Sequence, residues 1–318
     1  MGLLPDRAGR FDRRGEIERL DPEADFHEIY RLTTMYEFPW DMNQSLGFAL
    51  FRTYAVPSIG RLLAETGEFT ERVQKRYDDT GLILEAVLEH GFAHETGRAA
   101  IRRMNQMHRS YPITNDDLRY VLCTFVVVPL RWMDEFGWRP FTETEKVASA
   151  NYYRELGRHM GIKGIPATWQ EFGTVLDEYE AAHFGFDAGG RAVADSTLDL
   201  MCTFPPNDKA PKALINAFSR ALMDPPLRRA LHYDAPSAVS EKASRFAMRL
   251  RAKIVRHLPA RTEPQRVRDL PQVRSYPEGH DVDRLGTFPA GCPVPHASRP
   301  LQVVPEAGAS LPDAAPIG

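Results

Sequence analysis

"RRMNQMHRSYPITNDD", residues 102 to 117, ends a helical pattern on one histidine, His108, and starts a new helix a few residues later. On a helix running from 94 to 110, positions three and four apart stack, so Gly97, Ala100, Ile101, Met104 and His108 share one face. That face is small, flat and apolar, and it closes on an imidazole. Arg98, Arg102, Arg103 and Arg109 flank it. A porphyrin would suit such a surface: it needs a flat floor, a neutral imidazole for its iron, and guanidinium groups for its propionates. Spacing alone favours the plainer reading, a hydrogen-bonded core histidine beside solvated arginines.

Outward from this stretch, helical periodicity runs from about residue 15 to 257, and no alternating strand series competes with it. The expected helices span 22–36, 41–65, 69–90, 94–110, 115–136, 142–160, 168–183, 188–203, 209–223 and 236–257. "TNDD" at 114–117 and "TETE" at 142–145 supply N-caps followed by acids. "YVLCTFVVVPLRW" at 120–132 is too short to cross a bilayer and carries Pro129, so it reads as a core helix. Beyond residue 257 periodicity ends, and 11 of the 25 prolines fall there. The expected organisation is a flexible segment at 1–20, one helical domain at 21–260, and a Pro-rich extended tail at 261–318 in which 270–290 can pack on the domain.

"FTERVQKRYDDTGLILEAVLEHG", residues 69 to 91, puts Arg76, Asp79, Thr80, Ile83, Leu84 and Val87 at helical spacing. One charged turn precedes an apolar face. Asp79 could accept a proton there, with Arg76 and Thr80 holding a bound oxygen species by hydrogen bonds. The simpler alternative is an exposed helical turn with a weak ion pair. Tyr54 and Glu65 are further pocket candidates, or ordinary packing residues.

The 318 residues, 43% hydrophobic, suffice for a large core. With 40 basic and 43 acidic side chains the charge is −3, which gives no steering toward nucleic acid. Cys123, Cys202 and Cys292 form neither a CxxC pair nor an even framework, so reduced thiols and an intracellular setting are expected, with Cys123 and Cys202 as small buried residues. The leading residues contain no apolar core of a secretory signal. His90 and His94 have zinc spacing but Gly91 lies between them. "AGCPVPH" at 290–296 reads as a turn, and "GFDAGG" near 185–190 lacks the Lys-Ser/Thr of a phosphate loop.

The ordered blocks "YEFPWDMNQSLGFALFRTYAVPSIGRLLAETGEF", "KRYDDT", "RRMNQMHRSYPITNDDLRYVLCTFVVVPLRWMDEFGWRPFTETEK", "YYRELGRHMGIKGIPATWQEF" and "YPEGHDVDRLGTFP" resemble the MpaB-type oxygenases, which share a catalytic domain with the rubber oxygenases called latex clearing proteins. The resemblance runs from about residue 30 to 290. It implies an all-α, globin-like domain binding one haem b, with His108 of "NQMHRS" as the iron ligand and Met104 and Gly97 on the cofactor side. In the Arg-x-x-Lys-Thr arrangement of the rubber oxygenases, Arg76 and Thr80 match, and Asp79 replaces the lysine. Asn105 stands where those relatives carry arginine, which leaves Arg102 or Arg103 for the propionates.

The activity implied is use of O2 to cleave or oxidise an apolar, prenyl-like alkene. Two alternatives stay open: a haem-binding or sensing protein without turnover, supported by Asp79, and a cofactor-free helical interaction module. The expected location is cytoplasmic, with peripheral membrane contact fitting an apolar substrate. MpaB-type members are bound to the endoplasmic reticulum through an N-terminal membrane segment, and the leading residues here show none; no basic amphipathic helix stands out either.

Overall fold

A computed structural model describes residues 9–287. Every regular element among them is helical. The chain opens with α1 (Asp12–Ile17) and α2 (Phe26–Leu32), which runs on into a π-helical turn at Thr33–Glu37. The apolar run of the sequence forms α8 (Asn115–Phe136), the longest helix, packed against α3 (Pro39–Thr53), α9 (Glu143–His159), α10 (Trp169–His183) and α14 (Ala238–Val255). Tyr120, Cys123, Val126, Val127, Leu130 and Met133 of α8 are all buried, which is why so hydrophobic a segment is stable inside a globular core. Its start is fixed by Thr114, whose side chain accepts from the amide of Asp117 at 3.0 Å. Pro129 sits inside α8 without ending it.

Physical punctuation sets the other boundaries. Thr142 and Glu145 form a reciprocal capping box at the start of α9. The expected helix at 41–65 is two helices, α3 and α4 (Pro57–Glu65), because Pro57 holds Val56 extended. α4 crosses α11 (Ala188–Met201) closely: a Cβ on Gly60 would lie 2.7 Å from the Cα of Gly190. The 69–90 segment breaks at Arg72 into α5 (Glu68–Glu71) and α6 (Val73–His90). α6 and α7 (Glu95–Arg109) pack as a hairpin around Gly91, whose φ of +82° favours glycine. α12 (Lys212–Leu222) starts three residues later than expected, and α13 (Pro225–Ala230) and α1 were not expected. Both free cysteines, Cys123 and Cys202, are buried as expected; Cys292 and "AGCPVPH" lie outside the described residues.

Among the described residues after α14 the regular elements are short 3₁₀ turns, yet the segment is firmly held. Acids on α6 bind it as a strap. Glu85 accepts from the amides of Val267 and Arg268, and Glu89 pairs with Arg266 and Arg268. Asp78 accepts from the amides of Arg274 and Ser275 at 3.0 and 2.9 Å and from the Ser275 hydroxyl at 2.6 Å. Further on, Leu285 is fully buried and Gly286 rests against Met107, where a Cβ would collide with the sulfur.

Candidate functional site

The tips of α3 and α4 and the facing sides of α6, α7 and α8 enclose a cavity of about 410 Å³. Its walls are mainly apolar: Leu50, Ile59, Leu62, Ile83, Met104 and Met107 on one side, and Leu118, Val121, Leu122 and Phe125 of α8 on the other. Polar side chains also reach the space, the carboxylates of Glu65, Glu68 and Asp117 among them. Arg76 and Thr80 of α6 and His108 of α7 all border this space. So do Tyr54 and Glu65.

His108 occupies the last turn of α7, one residue before the helix ends. A helix C-terminus favours a charged imidazole, but burial pushes the other way and the nearby Arg76 guanidinium adds to it, lowering the pKa to about 4. Desolvation wins, so the ring is neutral at pH 7. Its Nδ1 is enclosed and has no hydrogen-bond partner among the described residues. An unpaired buried ring nitrogen is costly unless something outside the chain uses the imidazole.

Arg76 is tied to its own helix. Its Nη1 donates to Thr80 Oγ1 at 2.7 Å, while that hydroxyl donates to the Arg76 carbonyl at 2.8 Å. The guanidinium also lies over the ring of Phe69, 5.2 Å from its centroid, and no carboxylate pairs with it among the described residues. A positive group held in place at an apolar wall is the outcome.

Other expected residues lie elsewhere. Asp79 is buried but does not border the cavity: it accepts from Lys75 Nζ at 2.7 Å and from the hydroxyl of Tyr276 in the strap. Arg103, expected to meet a propionate, donates instead to the strap carbonyls of Leu285 and Thr287, both at 2.6 Å. Arg102 is exposed and off the cavity wall. Gly97 does not floor the cavity; its open side is filled by the Gly91 carbonyl, which a Cβ would meet at 1.9 Å. Only Met104 of those two lines the space. Asn105 donates to the His159 carbonyl at 2.9 Å. His94 caps α7 by accepting from the Thr96 amide at 3.2 Å and stacks on His90.

Sequence reasoning did not single out the α8 face or Thr287. Leu118, Val121, Leu122 and Phe125 follow the i, i+3, i+4, i+7 pattern, so that signal was present within a run read only as core. Thr287 reaches the cavity from far along the chain and has no local signal.

A helical fold around one apolar chamber with a neutral histidine in its wall defines a small-molecule site. The chain belongs to the family described as "ER-bound oxygenase mpaB/B'/Rubber oxygenase, catalytic domain", whose model matches residues 41–256. Arg76, Thr80 and His108 all fall within the match. The chain is 30% identical over 241 residues to the ER-bound oxygenase mpaB of Penicillium roqueforti (strain FM164), covering 70% of this chain and 80% of that protein. It is 31% identical over 243 residues to the ER-bound oxygenase mpaB' of Penicillium brevicompactum, covering 71% of this chain and 56% of that one. To the mpaB of the same species it is 30% identical over 226 residues, 61% of this chain and 57% of the relative. It thus spans just over half of the two Penicillium brevicompactum proteins. Among the described residues no helix is long and apolar enough to cross a membrane.

Proposed function

We propose that this protein is a haem b-dependent oxygenase that uses O2 to cleave or oxidise an apolar, prenyl-like alkene. The observation that carries the reading is the state of His108: neutral, at the cavity wall, with an enclosed ring nitrogen that no described residue satisfies. The donor set fits the group. No cluster of three or more His, Cys, Asp or Glu able to hold a metal ion exists among the described residues, and a lone imidazole suits an iron whose other ligands arrive with a macrocycle. Apolar walls from α7 and α8 suit the faces of such a disc.

The haem, when bound, supplies dioxygen binding and the one-electron chemistry that side chains lack. His108 would hold it through its neutral nitrogen. Arg76, positioned by Thr80, directs donors toward developing negative charge on oxygen, in surroundings where water is scarce and such bonds are strong. The apolar walls take the alkene chain and exclude solvent. Complete cleavage places both atoms of O2 in the products, one in each new carbonyl, so the overall change needs no external reductant. Asp79 sits outside the cavity and does not take the role that the sequence suggested, so the Arg76–Thr80 pair faces the substrate in its place.

Expression with a haem precursor tests the assignment. The protein is expected to purify red, to show a Soret band, and to lose that band in His108→Ala. A His108→Ala protein with full haem content and an unshifted band sinks the ligand assignment. Red protein that consumes no dioxygen with any isoprenoid would favour the haem-binding reading without turnover, for which the lack of a lysine at position 79 is the supporting observation.

A further inference from the structure

α14 is built with its large side chains facing outward. Its buried positions are Ser244, Met248 and Ala252, which seat it on α8 and α12. On the opposite side Phe246, Leu250 and Ile254, with Leu258 just beyond the helix, are 64%, 45%, 57% and 50% exposed. Val239 adds to them, so four of the nine exposed large apolar side chains among the described residues belong to α14 and a fifth, Leu258, follows it directly. The spacing of four residues turns them into a continuous stripe. Scattered exposed leucines need no explanation, but a contiguous apolar stripe marks a surface that is covered in use.

The stripe has a basic edge. At about 100° per residue, Lys242, Arg249, Lys253 and Arg256 fall in one sector beside it. Lys242 and Lys253 have no carboxylate partner among the described residues, whereas Arg249 meets Glu135 at 3.1 Å. The single acid of α14, Glu241, points to the other side, toward Arg228 and Arg245. The exposed half of the helix therefore carries apolar groups and cations and no anion.

We propose that α14 is a peripheral docking surface for an anionic lipid bilayer, lying in the plane of the interface with Phe246, Leu250 and Ile254 among the acyl chains and the lysines at the headgroups. Charge favours this occupant over a second copy: two such faces packed antiparallel about a two-fold axis would bring their basic edges to the same seam. The sequence reading singled out no basic amphipathic helix; in the structure the inward face of α14 is Ser244, Met248 and Ala252, which leaves Phe246 and Leu250 outside. The inference is independent of what fills the cavity.

The test is flotation of the full-length protein with phosphatidylcholine vesicles, with and without phosphatidylserine. Binding is expected only when phosphatidylserine is present, and it should weaken as salt is raised. Phe246→Ser/Leu250→Ser and, separately, Lys242→Gln/Lys253→Gln should each weaken it at least about tenfold, with helical content and the thermal unfolding midpoint unchanged because all four side chains lie on the surface. No binding to either vesicle overturns the proposal, as does binding that ignores both double variants. A doubled mass in solution that Phe246→Ser/Leu250→Ser returns to the monomer value also overturns it, in favour of a second copy. Apolar labelling of the stripe blocked by residues 288–318 overturns it in favour of the chain's own terminus.

Discussion

Arg76 and Thr80 hold each other in a closed loop: guanidinium to hydroxyl at 2.7 Å, hydroxyl to the Arg76 carbonyl at 2.8 Å. One turn of α6 thereby fixes the orientation of the cation at the cavity wall.

Removing the hydroxyl frees the guanidinium without removing its charge. Thr80→Val is expected to leave haem content unchanged while slowing dioxygen consumption with an isoprenoid substrate about tenfold or more, since orienting a charge donor is worth part of its full effect. Thr80→Ser should recover most of the loss. Equal rates in the Thr80→Val variant and the unaltered protein would show that the loop is only a helix feature.

Gly97 separates packing from cofactor contact. An added methyl there would meet the Gly91 carbonyl, a backbone atom that cannot step aside cheaply. Gly97→Ala is expected to destabilise the protein by about 1–3 kcal/mol in urea unfolding, with haem content per folded molecule unchanged. Loss of haem at full stability would instead place Gly97 beside the cofactor.

Cys123 supplies a pH prediction. Burial pushes its thiol up to about 12, so the reactive thiolate is absent until pH approaches that value. Native protein treated with iodoacetamide at pH 8 should leave the Cys123 peptide unmodified, and unfolded protein should label it readily. Rapid labelling in the native state, read by peptide mass, would mean that the α8 core opens often.

Much of the helical frame was legible. α8 falls on the expected 115–136 because its ends are chemical: a Thr114 cap and a Gly137 stop. α7 agrees within a residue for similar reasons. The break between α3 and α4 was written in Pro57 and overlooked under a continuing apolar pattern. Arg76 and Thr80 could be placed together because four-residue spacing puts them on one face of α6, whereas His108 lies on α7 and was joined to them only by the resemblance. Asp79 could not be placed so. It lies about 100° around α6 from Thr80, and its direction is set by Tyr276, nearly two hundred residues away. Arg103 fails for the same reason: its partners, the carbonyls of Leu285 and Thr287, belong to a segment with no periodicity to read.

That segment also sets an order of events during synthesis. Translation delivers α6, α7 and α8 well before Tyr276, Leu285 and Thr287 leave the ribosome. Until then Asp78, Asp79, Glu85 and Glu89 lack the strap donors that hold them in the finished fold. The strap's contact with the chamber, made by Thr287, is therefore the last to form, joining walls that α6, α7 and α8 already make.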